Sequence, residues 1–412
     1  MKTEIIKYLG GRFIPAAVNL ALIILAIRFL GPAEYGKYSL LLFTVLMIVT
    51  VSFHWIQVSI VRFLGTISRE INLVVSRFFF MTLLSSLISV ALVLFPALFY
   101  FELSFAETGL LMVFTFINHF YMMHLAIFQA HHRQIRMAVM EGSDHLVIIL
   151  VLLTGIFLFS VKSYILIFVS MSLGILVAEG VRILIRVNGL YHLEYYRSVW
   201  DNRFSRRVFE FDASMTLWLF LSHLMASADR FILYAFNGYD VAGGYSAVKD
   251  MFFKTVTFTA TPVFLSYQHK ILEEWNTRHK EEARQLVREA LNFEIVIFIV
   301  IFIIFMVGKS YILKTILRLP EMEHWQVYIP LLLSAFLWQI CMLFQKTLEM
   351  VSQQRSVLIV MGIVAAFNLI ANLFLVPQYS VFASSWIMLF TAVIIFIILS
   401  LIRKYRTGMN HS

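Results

Sequence analysis

Stretches of about twenty apolar residues, interrupted by short clusters of charge, recur from one end of the chain to the other. A run of that length crosses roughly 30 Å of hydrocarbon as a helix. The spans predicted in this way are 12 to 31, 38 to 60, 78 to 101, 108 to 129, 143 to 161, 164 to 186, 213 to 236, 243 to 266, 291 to 313, 326 to 347, 356 to 376 and 380 to 402. A membrane barrel would instead alternate apolar and polar residues over about 10 positions. The pattern predicts an all-α integral membrane protein of about 12 transmembrane helices in two six-helix lobes. The lobes are expected over 1 to 186 and 213 to 412, joined by a cytoplasmic interfacial linker over 187 to 212. A second amphipathic segment, 267 to 289, is expected to lie on the headgroups as well.

Composition agrees with a bilayer solvent. The chain is 60% hydrophobic and 14% charged, with mean hydropathy +0.84, so a soluble fold would lack the polar residues to cover itself. Loops rich in Lys and Arg stay cytoplasmic. With both termini on that side, 24 of the 33 basic residues fall there. The net charge of +9 then suits anionic lipid and calls for no nucleic acid. The N-terminus shows no cleavage site after a short apolar core, so the first span is expected to be retained. A single cysteine, Cys341, excludes an internal disulfide and a cysteine metal cage. Nucleotide loops, zinc-protease and hydrolase motifs are absent, and no metal or cofactor is expected. The outer loops are short, which argues against an enzyme of polysaccharide polymerisation or ligation whose chemistry sits on a large outer loop.

Half-length self-similarity adds to this. Arg28-Phe-Leu-Gly-Pro-Ala-Glu-Tyr-Gly-Lys-Tyr-Ser39 is echoed from Arg230 to Gly243-Gly-Tyr-Ser246. The arginines stand 202 positions apart and Gly-x-Tyr-Ser recurs at an offset of 207, each about half the chain. A transporter built from two related lobes leaves such a trace.

Polar residues inside the spans mark candidate chemistry, because charge at membrane depth is costly and usually functional. At 100° per residue, Ser246, Lys249, Asp250, Lys254, Thr257 and Thr261 project within roughly 140° of one another. Such a face predicts a water-filled cationic cavity; a local Asp250–Lys254 pair at i,i+4 is the alternative and leaves Lys249 unpaired. His223, Ser227 and Arg230 form one stripe in the seventh span, beside Asp229, while Thr50, His54 and Gln57 form another in the second, followed by Arg62. Arg28 and Arg230 are expected to end the first helix of each lobe on the outer side. Asn118, His119, His124, Glu141, Asp144, Glu179 with Arg182, Lys346 with Glu349, and Asn368 with Asn372 read as helix-to-helix hydrogen bonds or local ion pairs.

The two junction motifs, Arg28 to Leu40 and Ser227-Ala-Asp-Arg-Phe-Ile-Leu-Tyr234 with Gly243 to Ser246, resemble the signature regions of the polysaccharide or O-antigen (Wzx-type) flippases. Those belong to the multidrug/oligosaccharidyl-lipid/polysaccharide (MOP) exporter superfamily. The resemblance implies a MATE-like fold and a multi-pass protein of the bacterial inner membrane. It implies translocation of an undecaprenyl-diphosphate-linked O-antigen, capsule or exopolysaccharide repeat unit to the outer leaflet by alternating access. Membrane lipids, a polysaccharide polymerase and a chain-length regulator are the partners it implies.

A lipid diphosphate needs Lys or Arg in a hydrated cleft. Lys249 and Lys254 come first for that role, then Arg230, Arg28 and Arg62. His54, Gln57, His223, Tyr245 and Thr257 are the expected sugar contacts. Asp229 and Asp250 are either ion-coupling groups or structural partners of Arg230 and Lys254. An ion-coupled multidrug exporter of the same superfamily is the alternative, disfavoured by the midspan basic excess.

Overall fold

A computed structural model of the 412-residue chain describes residues 15–64, 71–131, 133–184, 202–276, 280–350 and 354–407. It is almost entirely helical. Helices α1 to α6 cover Pro15–Leu30, Pro32–Leu64, Ile71–Phe99, Phe105–Ala130, Gln134–Phe157 and Ile165–Leu184. They are followed by α7 (Asn202–Asn276), α8 (Lys280–Ser310), α9 (Trp325–Met350) and α10 (Gln354–Thr407). The predicted spans fall on these helices to within a few residues, the seventh and eighth on α7 and the last two on α10. Eight helices among the described residues are long and apolar enough to cross a membrane.

α7 and α10 are bent pairs. α7 breaks at Gly238, where φ is 81° and ψ 179°, and α10 breaks at Ser380, where φ is 50°. Gly238 stands 207 positions after Gly31, the other positive-φ glycine among the described residues, which turns α1 into α2 with φ 94° and ψ 166°. Backbone in that region is open to glycine and closed to residues with a Cβ. The half-length repeat therefore includes its turn as well as its Gly-x-Tyr-Ser.

By contacts the chain divides into Tyr38–Leu224 and Met1–Lys37 with Met225–Ser412. Within the first unit, neutral polar side chains bridge the helices. Ser52 and Ser89 hydroxyls lie 2.5 Å apart, and Ser89 lies 3.0 Å from Nε2 of His119, whose Nδ1 meets the Thr115 carbonyl. In the same unit Glu179 binds both His124 and Arg182, and the Tyr121 hydroxyl donates to Asp144. In the second unit Asn368 donates to Thr391, and Asn372 to the Asn368 carbonyl. These are the helix-to-helix bonds and local pairs expected for such residues in lipid, where an unpaired polar group costs most. The side chains of Lys346 and Glu349 lie outside the described residues.

Large apolar side chains point outward, including Phe99 at 72% exposure, Val307 at 85% and Phe374 at 72%. Exposed apolar surface of this extent is what hydrocarbon covers, and the protein is a multi-pass membrane protein.

Two expectations for amphipathic segments change. Residues 267 to 289 do not form a separate helix lying on headgroups. Tyr267 and Ile271 continue α7, Ala283 and Val287 begin α8, and all four are buried together with Val263, Ala290 and Leu343. The apolar positions of this charged stretch thus find protein rather than lipid. Of the 187 to 212 linker only residues from 202 onward are described, and they are the first turns of α7. Between α8 and α9, Lys314 binds Glu323 at 2.6 Å and Ser310 donates to the same carboxylate. Those two hydrogen bonds hold the Glu323 carboxyl below the usual carboxylate range.

Candidate functional site

The bend at Gly238 folds the second arm of α7 back along the first, and this brings residues twenty positions apart side by side. Asp229 and Arg230 on the first arm meet Lys249 and Asp250 on the second. The Lys249 ammonium donates to Asp229 Oδ2 at 2.5 Å and to the Ala226 carbonyl at 2.9 Å. Arg230 forks onto Asp250, with Nη2 to Oδ1 at 2.5 Å and Nη1 to Oδ2 at 3.1 Å. Two tyrosines complete the carboxylates: Tyr245 donates to Asp229 Oδ2 at 2.6 Å and Tyr35 to Asp250 Oδ2 at 2.7 Å. Asp229 also accepts the backbone N–H of Arg230.

These groups are closed off from solvent. Lys249, Asp229 and Arg230 are 1%, 1% and 2% exposed, and Tyr245 is fully buried. A buried charge survives when it is paired and hydrogen-bonded, and here two cations meet two anions with bidentate geometry in one pair.

The arrangement corrects several readings of the sequence. Asp250 binds Arg230 instead of its i+4 neighbour Lys254, and Asp229 binds Lys249 instead of Arg230 as its ion-pair partner. Lys249, placed on an open cationic face by helical periodicity, turns inward between the arms. Tyr245, read as a sugar contact, spends its hydroxyl on Asp229. Arg230 does not end its helix, because the first arm continues to Gly238. Arg28 does lie in the closing π turn of α1, over the Phe29 ring.

Further along the second arm Lys254 is partly buried and Thr257 exposed. Among the described residues Lys254 has no hydrogen bond and no ion pair within 4 Å, since Asp250 is engaged by Arg230; the two aspartate and lysine charges still attract through space. One turn on, Thr257 Oγ1 accepts a hydrogen bond from Gln339 Nε2 of α9 at 2.6 Å. Gln339 was absent from the sequence reading, and its one available signal was an amide in an otherwise apolar span. Lys254, Thr257 and Gln339 make one partly open polar edge of the unit that holds α8 and α9. In the other unit His54 hydrogen-bonds Gln57 on α2, with His223 near enough to act on it electrostatically. Arg62 is exposed near the end of α2.

The repeated glycines explain how the hairpin of α7 meets the start of α2. A methyl added at Gly243 would lie 1.8 Å from the Pro32 carbonyl oxygen, and one at Gly36 would lie 2.4 Å from that of Tyr239. The two copies of Gly-x-Tyr-Ser therefore touch backbone to backbone, and this delivers Tyr35 to Asp250.

These features define a multi-helix membrane fold, and solved structures of transporters share it. One is an inward-facing multidrug-resistance MATE family transporter of the MOP superfamily, with TM-score 0.71, 11% identity, and coverage of 97% of this chain and 94% of that one. Another is the lipid II flippase MurJ in an inward closed conformation, with TM-score 0.72, 12% identity, and coverage of 97% and 87%. A third is a MOP superfamily transporter from Pyrococcus furiosus, described by the reverse polarity of its binding pocket, with TM-score 0.66, 12% identity, and coverage of 99% and 95%. At such identities the likeness is one of fold. No protein-family model and no curated protein sequence matches the chain.

Proposed function

We propose that the protein is a flippase for an undecaprenyl-diphosphate-linked oligosaccharide, an O-antigen, capsule or exopolysaccharide repeat unit, working by alternating access in a bacterial inner membrane. It would do so with twelve crossings in two six-helix lobes and both termini cytoplasmic. The observation that carries the reading is Lys254, an amine within an apolar span that has no hydrogen-bonding partner among the described residues, beside the neutral Thr257 and Gln339. A lone cation next to neutral polar groups suits an anionic diphosphate followed by sugar. A cationic drug would want an accessible, uncommitted carboxylate on this face; Asp229 and Asp250 are each bound by a cation, and Glu294 of α8 is 3% exposed. Arg28 and Arg62 are further diphosphate contacts in this proposal, and His54, Gln57 and His223 further sugar contacts. Lys249, Arg230 and Tyr245 act by holding the second arm in place, with Asp229 and Asp250 as their structural partners. Membrane lipids, a polymerase and a chain-length regulator are the expected partners.

The test is complementation of a flippase-null strain with the protein level in the membrane measured in parallel. Lys254→Ala is expected to abolish surface polysaccharide at normal protein level, while Lys254→Arg retains part of it. Full complementation by Lys254→Ala would overturn the proposed role.

A further inference from the structure

α8 carries one acidic residue within its apolar span, Glu294. Its neighbours on the helix, Phe293, Ile295 and Val296, are 44%, 41% and 60% exposed, whereas Glu294 is 3% exposed. It belongs to the inward stripe Ala283, Val287, Ala290, Glu294, Phe298 and Phe305, each buried. Spacings of three, four and seven residues keep that stripe on one face. The contacts on either side fix its depth. Ala290 packs with Val263 of α7 and Leu343 of α9, Phe298 stacks on Phe336 of α9 at 4.0 Å, and Phe305 meets Phe252 of α7 at 4.7 Å. Glu294 lies one turn from Ala290 and one from Phe298, between those two sets of contacts with α7 and α9.

No described residue answers this carboxyl. Its Oε2 is buried without a hydrogen-bond partner among the described residues. Among the described residues no titratable group of α7 or α9 bonds to it, neither the nearer Lys254, Tyr267, Tyr328 and Cys341 nor the paired Asp229, Arg230, Lys249 and Asp250. The side chains of Lys346 and Glu349 on α9 lie outside the described residues. An ionised carboxylate so placed would face the full desolvation cost of a lone buried charge, whereas the neutral acid would not.

We propose that Glu294 is a proton-binding site and that its protonation couples substrate movement to a transmembrane proton gradient. In the state seen here the carboxyl carries the proton; in a state that wets the face between α7 and α9 it gives the proton to water and becomes a carboxylate. Proton and charge balance without another reactant. The coupling rests on the flippase reading, while proton binding stands apart from it.

Infrared difference spectra of the purified full-length protein in proteoliposomes, recorded as pH is raised, test the site. A protonated-carboxyl stretch is expected to disappear in the wild type and to be missing from Glu294→Gln, a neutral near-isostere of the acid. An unchanged spectrum in Glu294→Gln overturns the site.

Flipping of a fluorescent polyprenyl-diphosphate oligosaccharide, with and without an imposed pH gradient, tests the coupling. The gradient is expected to accelerate the wild type about tenfold and Glu294→Gln not at all, with Glu294→Asp intermediate. Gradient-independent flipping by the wild type overturns the coupling. A titrating carboxyl stretch without any flipping leaves the proton site standing and fails the flippase reading.

Discussion

The two copies of the internal repeat share a turn and diverge in what surrounds it. Each has a positive-φ glycine, Gly31 or Gly238, then Gly-x-Tyr-Ser seated where the copies touch. In the second copy, Lys249 and Asp250 make two ion pairs with Asp229 and Arg230. The corresponding positions of the first copy, 207 residues earlier, are Leu42 and Phe43. Tyr245 donates to a carboxylate at 2.6 Å, while its counterpart Tyr38 reaches the sulfur of Met171 at 3.9 Å. The backbone geometry has been kept where glycine alone fits, and the side-chain chemistry has been free to drift. The first copy makes its glycine turn with apolar residues at the positions corresponding to Lys249 and Asp250. The charges of the second copy tie its two arms together, and Lys254 stays outside that set.

The shared glycine contact can be broken most severely. Gly243→Ala places a methyl 1.8 Å from a carbonyl oxygen of the other copy's helix. A backbone clash cannot be relieved by a rotamer change, so the loss is expected to exceed about 4 kcal/mol and the folded protein should not accumulate. At the adjacent Gly244 the nearest atom to an added methyl is the flexible Met322 Cε at 3.1 Å. Gly244→Ala is expected to cost less than about 1 kcal/mol. Membrane abundance and gel-filtration thermal midpoints in detergent separate the two.

Lys249→Met leaves Asp229 buried without its cation, and a loss of about 3–5 kcal/mol is expected for either single variant of the pair. Joining it with Asp229→Asn, which still accepts from Tyr245, should recover stability to within about 2 kcal/mol of the wild type. A double variant as unstable as the worse single would show that the second copy cannot be made neutral as the first is. Smaller again, Tyr245→Phe strands one acceptor of Asp229 and is expected to cost about 1–3 kcal/mol. Tyr38→Phe should cost less, since a thioether is a weak acceptor.

The apolar runs made most helices legible from sequence, and the glycine-bearing motif made the repeat legible, because both are local patterns. Ion-pair partners were not. Spacing favours Asp250 with Lys254 and adjacency favours Asp229 with Arg230, yet both true pairs cross a bend that a single glycine produces. Once the arms fold together, a partner twenty positions away is nearer than one a turn along. Lys249 illustrates the limit: periodicity gives the angle of a side chain around its helix but not what stands opposite. Glu294 was passed over for a related reason, since one acid in an apolar run is silent until the burial of its stripe is known.

The last comparison lies within the second copy, between its sealed half and its open edge. Thr257 and Gln339 are bonded to each other at 2.6 Å, the same distance as Tyr245 to Asp229, but the bond is neutral and Thr257 is exposed. An exposed neutral bond exchanges readily with water, so Gln339→Leu and Thr257→Val are each expected to shift stability by no more than about 0.5 kcal/mol. If the pair contacts sugar, the same changes should lower flipping at limiting substrate by about tenfold with little effect at saturation, because they remove ground-state hydrogen bonds. A loss of stability as large as that of Tyr245→Phe would place the pair with the scaffold. An unchanged flipping rate at limiting substrate would confine substrate contact to Lys254.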